Sequence, residues 1–342
     1  MSGADVTRDG LRGIRPGRDA RTWSHGDGER PARAPQDHPG GSYYGRPIIN
    51  PPVWEELDIA GYLFAGGLAG ASSILATGGD LSGRPQLARR CKLCATAAIG
   101  VSLVALIHDL GRPARFLHML RVFKPTSPMS VGVWVLGAYT PLAVASAAAD
   151  VLGVAPRAGR AAGVGASALG AGVATYTAAL IANTAVPAWH DGYRELPFLF
   201  AGSAAAAGAG FALVAAPLAE NAPAQRMAVL GATAELAAEQ LMERRLGMVA
   251  ETLHEATAGA RLRAAKALTF AGAIGAATLA GRSRTGAAIS GAALLAGSAL
   301  TRFGVFAGGM ASARDPRYTV EPQRRRMEGR ADREVQGRPS DG

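Results

Sequence analysis

Long apolar runs, each bounded by charge or by Pro and Gly, fill the chain between residues 57 and 310. A bilayer core of roughly 30 Å needs about 20 consecutive apolar residues at 1.5 Å rise each. Eight segments reach that length: 57–78, 91–110, 131–153, 161–183, 196–219, 224–243, 264–281 and 286–306. Only the sixth carries the polar stripe of a soluble amphipathic helix. The fourth, sixth and seventh are the least hydrophobic, being rich in Ala and Gly. Such small residues let helix backbones approach closely where lipid supplies no hydrophobic drive. The pattern predicts an all-α polytopic membrane protein of about eight transmembrane helices in a domain spanning 57–310. Eight helices can divide into two four-helix bundles, although no repeat is visible residue by residue.

Composition changes the picture at the ends. The 342 residues are 49% hydrophobic and 18% charged, and the mean hydropathy of +0.12 averages a very apolar middle with polar tails. Residues 1–56 have no apolar core, so no signal peptide is expected there, and their Arg, Gly, Asp and Pro read as a disordered basic tail. A second basic tail is expected over 311–342, with Arg324, Arg325 and Arg326. No aromatic interleaving or folded reading element accompanies these arginines, so the expectation is a solvated or lipid-headgroup-facing tail and no nucleic-acid partner. The two cysteines, Cys91 and Cys94, cannot build a disulfide framework or a four-ligand metal site. They read as packing, and iron–sulfur-carrying classes drop out.

Charge also sets orientation. With an even number of spans both termini share a side with the loops after spans two, four and six, and that side holds 27 of the 36 Lys and Arg. The positive-inside rule then places both termini in the cytoplasm of a plasma-membrane protein. Three patterned connections fall on this same side: 108–130, 183–190 and 311–320. Their Pro and Gly shape them, and they carry Arg112, Arg115, Trp189, His190 and Arg314. Aromatic and Arg side chains on a shaped face suit the docking of a soluble partner, with loop packing as the alternative for Trp189 and His190. The segment 247–266, which mixes Glu251, His254, Glu255, Arg261 and Arg263 with apolar residues, is expected to form an interfacial helix.

Several motifs in order carry a resemblance. They are Tyr43-Tyr44-Gly45-Arg46-Pro47 with Pro52-Val53-Trp54, the Gly66–Ser73 run, Asp109-Leu110-Gly111-Arg112-Pro113, Val122–Ser130, Asn183–His190, Leu241–Gly247 and Ser312–Gln323. From about Ser42 to Gln323 the chain resembles the NrfD/polysulfide reductase membrane-subunit family. The resemblance implies a membrane subunit that exchanges electrons with quinone, menaquinone or ubiquinone with menaquinone favoured, through a partner of the four-cluster ferredoxin-type iron–sulfur kind. It further implies a molybdopterin catalytic subunit, for instance of the formate dehydrogenase or polysulfide/thiosulfate reductase type. This chain would not itself act on the final substrate.

The residues can be weighed apart from the name. A haem-bearing quinone subunit needs histidines within its spans. His25 and His38 fall in the tail, His118, His190 and His254 in loops and His108 at a span end, so neither haem nor metal is expected in this chain. Tyr176 lies seven residues, about 10 Å, before Asn183 on one helix face. Its phenol could hydrogen-bond a quinone carbonyl or simply another helix, and in relatives a tyrosine of this helix is associated with the quinone headgroup. Asp109 and Arg112 could form a proton port or a loop-locking pair. Glu235 and Glu239 are one turn apart, and intramembrane carboxylates usually mark proton paths. Alternatively, they could pair with Arg244 and Arg245 in a shallow helix. A structural anchor without a quinone site, or a multi-pass transporter, are the competing functions.

Overall fold

The computed structural model describes residues 49–111 and 114–324. The disorder expected of the N-terminal tail falls on residues outside these, as do Arg112 and most of the C-terminal tail.

Eight long helices carry the fold: α1 Glu56–Leu81, α2 Pro85–Asp109, α3 Pro128–Leu152, α4 Pro156–Ala182, α5 Leu196–Ala215, α6 Ala222–Leu246, α7 Ala256–Thr278 and α8 Arg284–Arg314. Short helical pieces, Ala114–Met119, Pro187–Asp191 and Glu251–His254, fill the connections, and there is no strand among the described residues. Local chemistry starts and stops these elements. A proline sits in the first turn of α2 to α6, where its missing N–H costs nothing. Ser127 and Ser283 cap α3 and α8 by accepting from the N–H groups of Ser130 and Gly286. Gly153 ends α3 in the left-handed region at φ 68°.

Packing follows two matching rings. In one, α1 packs on α2 and α4, and α3 packs on α4 and α2; in the other, α5 packs on α6 and α8, and α7 packs on α8 and α6. The rings join chiefly through α1 against α5, with α4 on α5 and α8 on α1 beside that seam. The correspondence reaches individual glycines. A Cβ on Gly70 of α1 would meet the Gly170 backbone of α4, and a Cβ on Gly210 of α5 would meet the Gly291 backbone of α8. Both bundles are thus drawn together at equivalent helix pairs by glycine backbones in contact. A repeat invisible residue by residue is present in the packing, because shape at a crossing restrains size and not side-chain identity.

Six of the eight helices are long and apolar enough to cross a membrane by composition; α6 and α7 are not. Part of the charge of α6 faces inward: Glu235 and Glu239 are buried, while Val229, Leu230 and Leu241 of α6 and Phe270 and Ile274 of α7 are exposed. At 25 and 23 residues they are about 37 and 34 Å long. Two boundaries differ from expectation. The segment 247–266 is not one interfacial helix: a turn at Gly247–Ala250 and the piece Glu251–His254 precede α7, which starts at Ala256 and packs along α8. The last helix runs past the expected end at 306 to Arg314, and Arg302, counted by sign with the terminal charges although it falls within the span 286–306, is 1% exposed.

The helix ends define two faces. On the near face α1 begins and α2, α4, α6 and α8 end. His108 Nδ1 lies 2.7 Å from Asp58 there, Arg261 pairs with Glu56, and the Ala188 N–H donates to Ser312 at 3.2 Å. On the far face the Leu87 N–H donates to Glu220 at 2.9 Å, Arg284 donates to the Ala216 carbonyl at 2.7 Å, and Lys92 bridges Asp80 and Asp150.

Candidate functional site

Tyr176 stands on α4 one and a half turns above its near-face end, with its ring against Gly132 of α3; a Cβ at Gly132 would clash with the Cδ2–Cε2 edge of the ring. The residue is partly buried, yet its phenol oxygen is sealed from solvent and has no hydrogen-bond partner. A buried hydroxyl left unmade costs about 1–3 kcal/mol, so such an atom is a place where a ligand acceptor would be stabilising. Asn183, at the end of the same helix, is exposed, and its N–H closes the last turn on Ala179. The shared face therefore does not bring the two side chains to one buried point. Asp109, at the end of α2, accepts from the Glu55 N–H at 3.5 Å.

Among the docking candidates the outcomes divide. Trp189 is 1% exposed, donates through Nε1 to the Val305 carbonyl at 2.8 Å and stacks on Trp54 at 5.9 Å and against Phe306 at 5.6 Å. Of the two roles open to it, loop packing is the one it fills. His190 is exposed, with Nδ1 3.3 Å from the Ala182 carbonyl. It borders a near-face cavity of about 490 Å³ shared with Tyr193, Arg245 and Pro322. Arg194 donates to the Tyr193 hydroxyl at 2.9 Å, and that hydrogen bond, with Arg245 adding to it, holds the phenol below its usual range. Arg115 donates to the Leu110 carbonyl at 2.9 Å, and Arg314 is exposed at the last turn of α8.

The carboxylates of α6 belong to a larger assembly than their spacing alone suggested. Glu235, 1% exposed, accepts from Thr301 at 2.6 Å and from Thr269 at 3.5 Å. Glu239, 3% exposed, lies 3.5 Å from Lys266 of α7, which also holds Glu243 at 2.8 Å. His254, 53% exposed, is 3.9 Å from Glu243. Three carboxylates one turn apart therefore rise from the near face into the second bundle. The pairing of Glu239 is with Lys266; Arg245 turns instead to Glu195 at 2.7 Å.

At the inner end of this ladder lies Arg302. Its Nη2 donates to the Phe200 carbonyl at 2.8 Å and its guanidinium stacks 3.8 Å from the Phe200 ring centroid, while Nε and Nη1 are buried without partners. Sequence reasoning missed Arg302, Lys266 and Glu243. Arg302 was legible as a lone cation inside the apolar run 286–306, and Glu243 as the next step of the four-residue spacing.

These features define a class: an all-α multi-pass membrane protein with buried charge in its interior and a shaped, charged near face. A family profile described as polysulphide reductase, NrfD, matches residues 48–309, and the chain belongs to that family. It is a membrane-integral subunit of oxidoreductase complexes. The family is in general quinone-interacting and partners with iron–sulfur and molybdopterin oxidoreductase subunits. No curated protein matches the chain.

Proposed function

We propose that this chain anchors an iron–sulfur and molybdopterin oxidoreductase at its near face and exchanges electrons with membrane quinone, menaquinone as the favoured type, beside Tyr176. The observation that carries the reading is the buried, unpartnered Tyr176 hydroxyl near that face. A phenol there donates to a quinone carbonyl and, on reduction, passes or holds a proton at that oxygen. The quinone supplies the two-electron chemistry, and the chain supplies position, a donor and exclusion of water. Membership of a quinone-interacting family supports the same reading.

All four described histidines, His108, His118, His190 and His254, are exposed, which favours direct exchange between quinone and a partner's cluster over relay through bis-His haem. One of the two protons of quinone reduction is exchanged with the near face along His254, Glu243, Lys266, Glu239 and Glu235, with α6 and α7 crossing the bilayer like the other six helices. The purely structural anchor has no use for this ladder or for an orphan phenol. The deciding experiment measures quinone-linked and dye-linked activity of the purified complex with Tyr176→Phe. A quinone-specific fall supports the proposal, and equal rates with both acceptors leave only the anchor.

A further inference from the structure

The first bundle contains a second buried charge centre, on the face away from docking, that the reading above does not use. Lys92 of α2 is 7% exposed and holds Asp80 of α1 at 2.8 Å and Asp150 of α3 at 3.2 Å; Arg89, half exposed, stands 3.8 Å from Asp150. A clamp tying three helix ends would need no more than this. However, a cavity of about 10 Å³ adjoins Lys92 on its inner side, lined also by Ser73, Ser146 and Gly163. That is room for one water. The Ser146 hydroxyl is buried there without a partner, and Ser73 shares a hydrogen bond of 2.8 Å with Tyr139. Thr77, one turn from Ser73 toward the far face, donates to the Gly163 carbonyl at 3.0 Å.

These groups form a file leading inward. Tyr139 lies two turns from Gly132 on the same face of α3, and Gly132 is the residue against which the Tyr176 ring rests. On the near side of the Gly70–Gly170 crossing, Ser102 is fully buried and donates to the Tyr62 carbonyl at 3.2 Å. The α6 ladder, by contrast, lies in the other bundle and opens on the near face.

We infer that the first bundle provides a proton route from the far face, through Lys92 with Asp80 and Asp150, the cavity at Ser146 and the Ser73–Tyr139 pair, toward the Tyr176 end. The inference rests on the quinone reading. Reduction of a quinone to a quinol forms two O–H bonds with two electrons from the partner's iron–sulfur centre and two protons. Protons drawn from the far face while electrons arrive from the near face separate charge across the membrane. Oxidation of a quinol reverses both flows.

The test uses the whole complex in phospholipid vesicles with partners facing outward, an entrapped pH dye and a potential-sensitive dye, driven with the complex's own donor and a quinone. In the unmodified complex the vesicle interior should lose protons as quinone is reduced, and a potential should develop. Asp150→Asn, which leaves Lys92 paired with Asp80, and Ser146→Val, which fills the cavity, should each lower the interior proton signal and quinone turnover by roughly tenfold or more. Dye-linked activity of the soluble subunits should stay normal, reporting intact assembly. A pH change confined to the outside overturns the inference, and so does an undiminished interior signal in both variants. Absence of quinone turnover in the unmodified complex, with dye-linked activity normal, overturns the quinone reading and the inference with it; a sensitive Tyr176→Phe variant with the proton change outside overturns the inference alone.

Discussion

Tyr176 illustrates how one side chain can be tested with little disturbance. Its hydroxyl has no partner, so Tyr176→Phe should leave thermal stability unchanged or slightly raised. Loss of one hydrogen bond of about 1–1.5 kcal/mol to quinone predicts roughly a tenfold or smaller weakening, read as a rise in KM for quinone. Gly132→Ala should do more. The added methyl clashes with the ring's edge, so Tyr176 must move, with an overpacking cost of about 1–3 kcal/mol. Quinone-linked rate should fall further than in Tyr176→Phe, and the melting temperature should drop. Tyr176 was legible in the sequence because a phenol is conspicuous in an Ala/Gly helix. The Gly132 contact was not, since nothing local to either residue reports which helices are neighbours. Arg302 escaped for another reason: although it lies inside the apolar run 286–306, counting by sign groups it with the terminal arginines, and nothing local to it reports that Phe200 of α5 is its neighbour.

At the scale of elements, α6 and α7 work as a pair. Neither is apolar enough to cross a membrane by composition, because interior carboxylates on α6 and the partly buried or exposed Arg261, Arg263 and Lys266 on α7 count against them in a sequence window. The sequence signalled three helices weakly, the fourth, sixth and seventh; the fourth is apolar enough to cross after all, and the other two are weak because a window averages the lipid-facing and interior faces of a helix. Lys266, 37% exposed, is the cation shared by Glu239 and Glu243. Lys266→Met should destabilise the α6–α7 pair by about 1–3 kcal/mol, less than the roughly 3–5 kcal/mol of a fully buried pair because water still reaches the ammonium. Thermal unfolding in detergent measures it, and Glu239→Gln in the same chain should restore part of the loss. Glu235→Gln and Glu239→Gln alone should slow quinone-linked turnover while sparing electron transfer among the soluble subunits. Full turnover in both would remove the ladder from proton transfer.

For the molecule as a whole, alternation of eight helices puts the start of α1 and the end of α8 on one face, where Tyr318 sits beside Glu251 and Glu255. Reporter fusions to the two termini should therefore give the same answer, and the charge asymmetry predicts that answer to be cytoplasmic. Opposite readings would require one of α6 or α7 not to cross. Replacing Arg112 and Arg115 together should release the iron–sulfur subunit from membranes at high salt while the helical domain stays inserted, as followed by fractionation.

The buried guanidinium of Arg302 also bears on how the chain is made. A helix arriving alone at the translocation machinery with Arg near its middle faces a penalty of about 2.5–3.5 kcal/mol for that residue. The groups that offset it, the Phe200 carbonyl and ring on α5 and the nearby Glu235 on α6, are synthesised earlier. The last helix is therefore held in the bilayer more firmly once α5 and α6 are in place, and insertion of the second half is expected to be cooperative, with deletion of α5 lowering the share of chains that retain α8 in the membrane.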